Sequence, residues 1–424
     1  MSAAAVQPSV GAYLGVLRAR RETLAVAGVL ALAGATRTLV LLLTPGYRPL
    51  FDAGDYARHA ASIAAGHGYP ASVIAAGGGP SAFRPPLYPY LLGGTYAIAG
   101  HGAGRVLGLL LGVVVVLLIW MVARAVWDPR VALIAATLAA VFPPLVVLDA
   151  SLLSEPLFLV IEVALVATVL RARRSPELRW ALFAGVLCAA AALTRENGAL
   201  LVIPALAGVA TRQRLRKPAV LLVSMLVTLT PWALRNADVF GSLVPVSTQT
   251  GYTLAGLMND RAQSYPGYEA TWLPPSLTAR YRGVLRDRRL NEAELDARLR
   301  SGAVAYAEAH PLYTAKALAL NTLRIAQILD PAPVERRVAA AEMGLKPGWS
   351  GLLRWSWLVL AAAALAAWAL LPAARRGLPS SVWLMPVLLL LTAALAGASE
   401  RYSAPLYPFT VLLAATLIAR ARTG

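Results

Sequence analysis

Cysteine is almost absent: Cys188 stands alone in 424 residues, so neither an intrachain disulfide nor a thiolate metal cluster can form. Charge is also scarce, at 14% of residues against 58% hydrophobic, which excludes a soluble enzyme carrying a single anchor. Acidic residues are scarcer still, 21 against 39 Lys and Arg. The net charge of +18 is spread over the ends of apolar runs rather than gathered on one polar domain, so it does not mark a nucleic-acid partner. A nucleotide loop is missing too. GHGAGR (100–105) has the glycines, but no strand precedes it and no P-loop lysine follows. No repeat of solenoid period is visible.

What remains is apolar sequence in about ten runs of membrane-crossing character. They lie roughly at 23–43, 104–123, 130–148, 156–171, 178–194, 198–211, 217–235, 351–371, 380–398 and 403–420. The expected fold is all-α: a polytopic membrane protein with about ten transmembrane helices and interfacial helices on its outer face. Three parts follow: a membrane module (1–235) whose first outer loop is 44–103, an extracytoplasmic region (236–350), and C-terminal transmembrane helices (351–424). Arg18, Arg20 and Arg21 precede an apolar run that continues through Leu43, which reads as an uncleaved first span. No soluble C-terminal domain is expected after the last run.

With the N-terminus inside, alternation puts the basic clusters in the cytoplasm. These are Arg124/Arg130, Arg171/Arg173/Arg174, Arg212/Arg214/Arg216/Lys217, Arg375/Arg376 and Arg420/Arg422. The condition is that Pro85–Gly100, short and proline-rich, lies at the interface instead of spanning. The same is expected of Pro311–Leu329, which carries Lys316 and Arg324. Between them, LNEAELDARLRSGAVAYAEAHP reads as one amphipathic helix, capped by Asn291 with Glu294 and ended by Pro311. The reading is a multi-pass plasma-membrane protein with cytoplasmic termini and an extracytoplasmic active site.

This topology gathers polar residues on one side: Asp52, Asp55, Arg58, His59, Arg84, Arg105, Asp149, Glu155, Arg195, Glu196, Arg401 and Tyr402. Charges in apolar helices are costly and are functional candidates by default. Carboxylates can take a hydroxyl proton, and arginines can hold phosphate. Each has a bland alternative. Asp52, three residues ahead of Asp55, would suit a helix N-cap. Arg84, in AFRPPLYPY, and Arg105 could snorkel to lipid headgroups. Glu155, with Glu162 seven residues deeper on the same face, could simply favour a helix N-terminus. Arg195–Glu196 could be a local ion pair. Asp55 and His59 share a helical face, but no second histidine is placed to complete a metal site, so neither cofactor nor metal is indicated.

FDAGDY, AFRPPLYPYLL, Arg105, SEP, LTREN, PWALRN followed by Gly251–Tyr252, and ERYSAPLYP occur in that order along most of the chain. Together they resemble the GT-C multi-spanning glycosyltransferases that use polyprenyl-phosphate sugars. The resemblance is to the bacterial branch of lipid A aminoarabinose transferases and protein O-mannosyltransferase-like proteins. It implies that Asp52 is the catalytic base, with Tyr56 behind it, and that Arg84 meets the lipid phosphate. Glu155 corresponds to a second acidic position at the outer end of a span. The family often has an acid directly after the catalytic aspartate; here that residue is Ala53, and the second acid is Asp55.

The implied site has Asp52, Asp55 and Glu155 as catalytic acids, and Tyr56, Arg58, Arg84, Arg105, Arg195, Arg401 and Tyr402 binding substrate. The implied partners are a polyprenyl-phosphate sugar donor, a glycan, glycolipid or protein acceptor, and membrane lipids. The larger members carry soluble extracytoplasmic domains, and none is expected here. A lipid-linked glycan flippase and a non-catalytic envelope-assembly subunit are the other readings. The flippase is disfavoured by the absence of paired halves.

Overall fold

The computed structural model describes residues 10–210 and 215–421, with side chains from residue 20 onward. The side chains of Arg18, Arg212, Arg214 and Arg422 from the basic clusters lie outside the described residues. The described chain is all-helical, as expected of apolar segments that must satisfy every backbone polar group internally. The first half contains α1 (Val10–Leu43), α2 (Phe51–Ala64), α3 (Leu87–Ala99), α4 (Ala103–Val126), α5 (Pro129–Val141), α6 (Pro143–Asp149), α7 (Glu155–Arg174), α8 (Arg179–Thr194), α9 (Val202–Val209) and α10 (Arg216–Phe240). The outer region contributes α11 (Thr250–Leu257), α12 (Asp260–Gln263), α13 (Ala279–Arg286), α14 (Glu292–Ala309), α15 (Pro311–Ile325) and α16 (Pro333–Met343). The chain then runs through α17 (Trp349–Leu370), α18 (Pro372–Gly377), α19 (Ser380–Ala394) and α20 (Tyr407–Ala421).

Among the described residues, five helices are long and apolar enough to cross a bilayer: Arg20–Leu43, Ala103–Val126, Arg216–Phe240, Trp349–Leu370 and Glu400–Ala421. A sixth span arises if α5 and α6 count as one, bent by 57°. Pro143 and Pro144 cause that bend, because neither supplies the amide a continuous helix needs. The count of ten is not reached on these measures. Arg179–Thr194, Glu196–Val209 and Ser380–Ala394 are apolar but shorter. Pro85–Gly100 forms the 13-residue α3, about 20 Å long and too short to cross. Asn291 caps α14 with Glu294 in a reciprocal capping box, and Pro311 opens α15 directly after the His310 C-cap.

The packing brings the chain's polar ends together. A single large core runs from Val29 on α1 to Ala419 on α20, and it includes Ala339 and Met343 of α16. Helix α4 lies against α1, α5 and α7. Its glycines make this approach close. A Cβ on Gly112 would collide with the Asp149 carboxylate and Arg37, and one on Gly108 with the Asp149 carbonyl. Arg37 and Asp149 form an ion pair at 2.8 Å with side-chain exposures of 0% and 1%. The outer segments are pinned by another buried acid. Glu292 accepts from Ala82 N at 2.7 Å, from Ser81 Oγ at 2.9 Å and from the Thr248 hydroxyl, tying the first loop to the 236–350 region.

Helix α7 relates the two ends of the bundle. Glu155 is at its start and Arg171, Arg173 and Arg174 at its end, and 20 residues rise about 30 Å, the thickness of a bilayer core. At the arginine end, Arg174 donates to Ala125 O at 3.0 Å, Lys217 to Ala172 O at 2.6 Å, and Arg124 pairs with Glu22 at 2.7 Å. Arg124, Arg174 and Lys217, from separate loops, therefore share one end of the bundle, opposite Glu155.

Candidate active site

Helix α2 begins at Phe51, one residue before the aspartate expected to cap it. Its N-cap is Leu50, which offers no side-chain cap, so Asp52 stands inside the first turn. The acceptor for that turn comes from far away: Asp52 N donates to Glu342 Oε1 at 3.1 Å. Supplied with this remote acceptor, α2 leaves the Asp52 carboxylate free for arginine. Arg84 Nη2 donates to Asp52 Oδ1 at 2.6 Å, and Arg84 Nε to Asp55 Oδ2 at 2.7 Å. The other oxygen of Asp52 pairs closely with Arg401. Asp52 is thus held between two cations.

Arg401 extends the network. Its Nη1 donates to Glu155 Oε1 at 2.8 Å, and its Nε lies 3.1 Å from Glu342 Oε2 as an ion pair without hydrogen-bond alignment. Glu155 Oε1 also meets Arg195 Nη1 at 2.7 Å. The Asp52 side chain retains 31% of its exposure, against 14% for Asp55 and 2% each for Glu155 and Glu342. Of these four acids, Asp52 is the one a second substrate can reach most easily.

Several contacts fix Arg84. Its guanidinium lies over the rings of Tyr56 and Phe83, at 5.0 and 5.1 Å, and Pro85 and Pro86 follow it. Tyr69 donates its hydroxyl to Arg84 O at 2.6 Å. Tyr56 in turn donates to Ser154 Oγ at 3.1 Å, beside Glu155.

The electrostatics follow from this packing. Burial pushes the Asp52 carboxyl upward, but Arg84 and Arg401 outweigh it and hold the group below the usual carboxylate range. Burial also opposes ionisation of Asp55, which Arg84 and His59 keep low. Glu342 goes the other way. Burial, reinforced by the charge of Asp52, raises it to about 7 against the pull of Arg401.

The remaining expected residues sort by partner. Arg58 pairs with Asp55 at 2.8 Å and donates to Ala71 O at 3.2 Å. The Tyr402 ring packs under the Arg401 guanidinium at 5.1 Å. His59 Nδ1 sits 2.8 Å from Asp55 O, and its ring is fully buried. Among the described residues no three His, Cys, Asp or Glu side chains are grouped to hold a metal ion.

Arg105 is spent on backbone: it donates to Ala150 O at 2.7 Å and Thr44 O at 2.9 Å, and it bonds the Thr44 hydroxyl. Its polar contacts tie two chain turns together; they do not reach Asp52. Arg195 and Glu196 are not each other's partners, since the chain enters a 3-10 turn between them. Arg195 faces Glu155, while Glu196 accepts from the Thr250 hydroxyl. Asp149 belongs to the Arg37 pair inside the bundle. Sequence reasoning missed Glu342 and Arg37. A lone arginine in the first apolar run was signal enough for Arg37. Nothing local distinguishes Glu342 in AAAEMG.

The fold is GT-C-like. It matches the archaeal oligosaccharyltransferase AglB from Archaeoglobus fulgidus, solved with an inhibitory peptide and a dolichol-phosphate, with TM-score 0.51 and 15% identity. That match covers 94% of this chain and 50% of the other, and the apo form of the same enzyme matches with TM-score 0.50 and 16% identity. The chain thus spans about half the length of the oligosaccharyltransferase structures it matches. ArnT from Cupriavidus metallidurans bound to undecaprenyl phosphate aligns over 95% of this chain and 78% of its own, with 17% identity and TM-score 0.40. Residues 83–234 match the family model of dolichyl-phosphate-mannose-protein mannosyltransferases, a segment that carries Arg84, Glu155 and Arg195 but neither Asp52 nor Arg401. No curated protein matches the sequence significantly.

Proposed function

We propose that the protein is an inverting glycosyltransferase that moves a hexosyl or pentosyl group from a polyprenyl-phosphate donor to an acceptor hydroxyl. The observation that carries this reading is Asp52: a carboxylate clamped by Arg84 and Arg401 that keeps 31% of its side chain open. The reaction takes place at the outer face of the plasma membrane, the end away from the basic clusters by the positive-inside rule. Its product is a cell-envelope glycan or glycolipid.

The donor is a phosphodiester with one negative charge, and the departing polyprenyl phosphate gains another as the anomeric bond breaks. Arg84 and Arg401 meet that developing charge, so they bind the transition state better than the ground state. As phosphate takes up part of their charge, both arginines pull less on Asp52. Its carboxylate then becomes a stronger base at the moment it is needed. Asp52 takes the acceptor proton, the acceptor oxygen attacks the anomeric carbon from the opposite face, and polyprenyl phosphate leaves. Phosphate is a good leaving group, so no general acid is required.

The test is polyprenyl-phosphate release by membranes carrying wild type or Asp52→Asn, supplied with a panel of polyprenyl-phosphate sugars. A positioned base contributes about 10²–10⁴-fold, so the variant should lose nearly all release at unchanged protein level. Equal release by both proteins would remove Asp52 from the chemistry.

A further inference from the structure

Beside the arginine-clamped acids, the outer region contains a cleft of about 310 Å³ that the donor chemistry does not use. Ile74, Tyr252 and Leu285 supply its apolar side, and these residues pack on a small outer core around Tyr281, Leu295 and Leu299. Its polar side is Ser276 with Arg282 and Arg286, one turn apart on α13. The segment 279–289 holds five arginines and a single acid, Asp287, which Arg289 already pairs at 2.9 Å. Arg280 is engaged over the Tyr306 ring at 5.1 Å. Arg282 and Arg286 have no ion-pair or hydrogen-bond partner among the described residues. Both are exposed cations four residues apart on one helix, and an anion between them would relieve their mutual repulsion.

The cleft is coupled to the catalytic acids on two sides. The Tyr252 ring meets Phe83 edge-on at 5.6 Å, and Phe83 lies under the Arg84 guanidinium that clamps Asp52. On the other side, Arg58 joins Asp55 to the carbonyl of Ala71, at the start of the turn that carries Ile74. Gly77 of that turn approaches the Arg288 carbonyl so closely that a Cβ there could not fit. The cleft wall and the acid pair are thus parts of one braced structure.

Resting on the transferase reading above, we infer that this cleft seats the acceptor and that the acceptor is an anionic glycan, with a carboxylate or phosphate on the sugar held by Arg282 and Arg286. Tyr252 gives the apolar face of that sugar a flat surface, and guanidinium groups suit planar or tetrahedral oxyanions. A neutral sugar would leave both arginines unanswered.

The test uses the full chain, purified in a neutral detergent, with hyaluronan tetrasaccharide as a carboxylated probe and cellotetraose as its neutral counterpart. Binding is read by ligand-observed saturation-transfer NMR titration. Wild type should bind the carboxylated probe at least about tenfold more tightly than cellotetraose. Arg282→Gln/Arg286→Gln should lose about tenfold or more of that affinity, and Arg282→Lys/Arg286→Lys, which keeps both charges without the guanidinium fork, should lose less than the Gln variant. Tyr252→Ala, which leaves both cations in place, should weaken the carboxylated probe severalfold and guards against a Gln variant that fails to fold. Equal affinity for the two probes, or an unchanged Gln variant at wild-type thermal midpoint, overturns the inference. Displacement of the tetrasaccharide by phosphatidylglycerol vesicles at matched phosphate, with none by phosphatidylcholine, overturns it in favour of a lipid-headgroup surface. Polyprenyl-phosphate release bears separately on the transferase reading: its absence in wild type would overturn that reading whatever the cleft binds.

Discussion

Arg401 reaches Asp52 across 349 residues of chain, and the two side chains form a direct ion pair. The contact joins the 3-10 turn ahead of the last helix to the first turn of α2. The same guanidinium serves Glu155 and Glu342, so one cation compensates three carboxylates.

Arg401→Ala would strand Glu342 and leave Glu155 to Arg195 alone, with both acids 2% exposed. Removing one partner of a buried pair costs about 3–5 kcal/mol, because the stranded charge keeps its desolvation penalty. The expected outcome is a large fall in detergent-stable protein, measured by the thermal midpoint of the solubilised chain. Adding Glu342→Gln should recover part of it, since one stranded acid becomes neutral. A wild-type midpoint for Arg401→Ala alone would show that the charge network does not hold this region together.

Asp52 and Asp55 share Arg84 but should differ in consequence. Asp55 is enclosed by Arg58, Arg84 and His59 and is 14% exposed. Its part is to orient Arg84, and Asp55→Asn keeps one carbonyl oxygen for that bond. Asp55→Asn should therefore cost about tenfold or less in release rate, chiefly through weaker donor binding, while Asp52→Asn removes the base. Steady-state release at varied donor concentration separates the two. A larger rate loss for Asp55→Asn than for Asp52→Asn would exchange their roles.

How much of this was legible beforehand depends on the kind of constraint. Apolar runs long enough to span, the capping box at Asn291, and the acids and arginines at the outer ends of helices are local patterns, and sequence carries them. The N-cap alternative for Asp52 misses by two positions, since the cap is Leu50 and the acceptor for that turn is Glu342, which no local pattern links to it. Arg195 and Glu196 look like a pair in LTREN, yet the 3-10 turn sends them to different partners. Arg105, expected at the lipid phosphate, bonds the Ala150 and Thr44 carbonyls and the Thr44 hydroxyl. What sequence lacked in each case was the partner, which only tertiary packing supplies.

The buried pair of Arg37 and Asp149 predicts a stability defect with a specific cure. Either Arg37→Leu or Asp149→Leu leaves one uncompensated charge between α1, α4 and α6, at about 3–5 kcal/mol. The double variant Arg37→Leu/Asp149→Leu removes both charges and should recover most of the loss. Gly112→Ala should resemble the single variants, since its new methyl group would occupy the space of the pair. Membrane yield and thermal midpoint report all four. An additive double variant would mean that the two charges do not act as a pair.

Glu342 predicts how donor affinity responds to pH. Its folded-state value of about 7 lies above its ordinary 4.5, so the folded protein holds this proton where an unfolded chain has lost it. The group's contribution to stability is full below 4.5 and is lost as the pH rises toward 7. Donor binding should move in the same direction. Ionised Glu342 competes for Arg401 with the lipid phosphate and adds a negative charge beside Asp52; protonated Glu342 does neither. Affinity for the polyprenyl-phosphate sugar, a diester whose charge is constant in this range, should then fall on the order of tenfold from pH 6 to pH 8, with close to one proton taken up per lipid bound above pH 7. Glu342→Gln should hold the pH 6 affinity across that range and flatten the profile, a change that a purely structural role for the side chain would not produce. Lipid titrations at both pH values decide the matter, and an identical slope in wild type and variant would remove Glu342 as the titrating group.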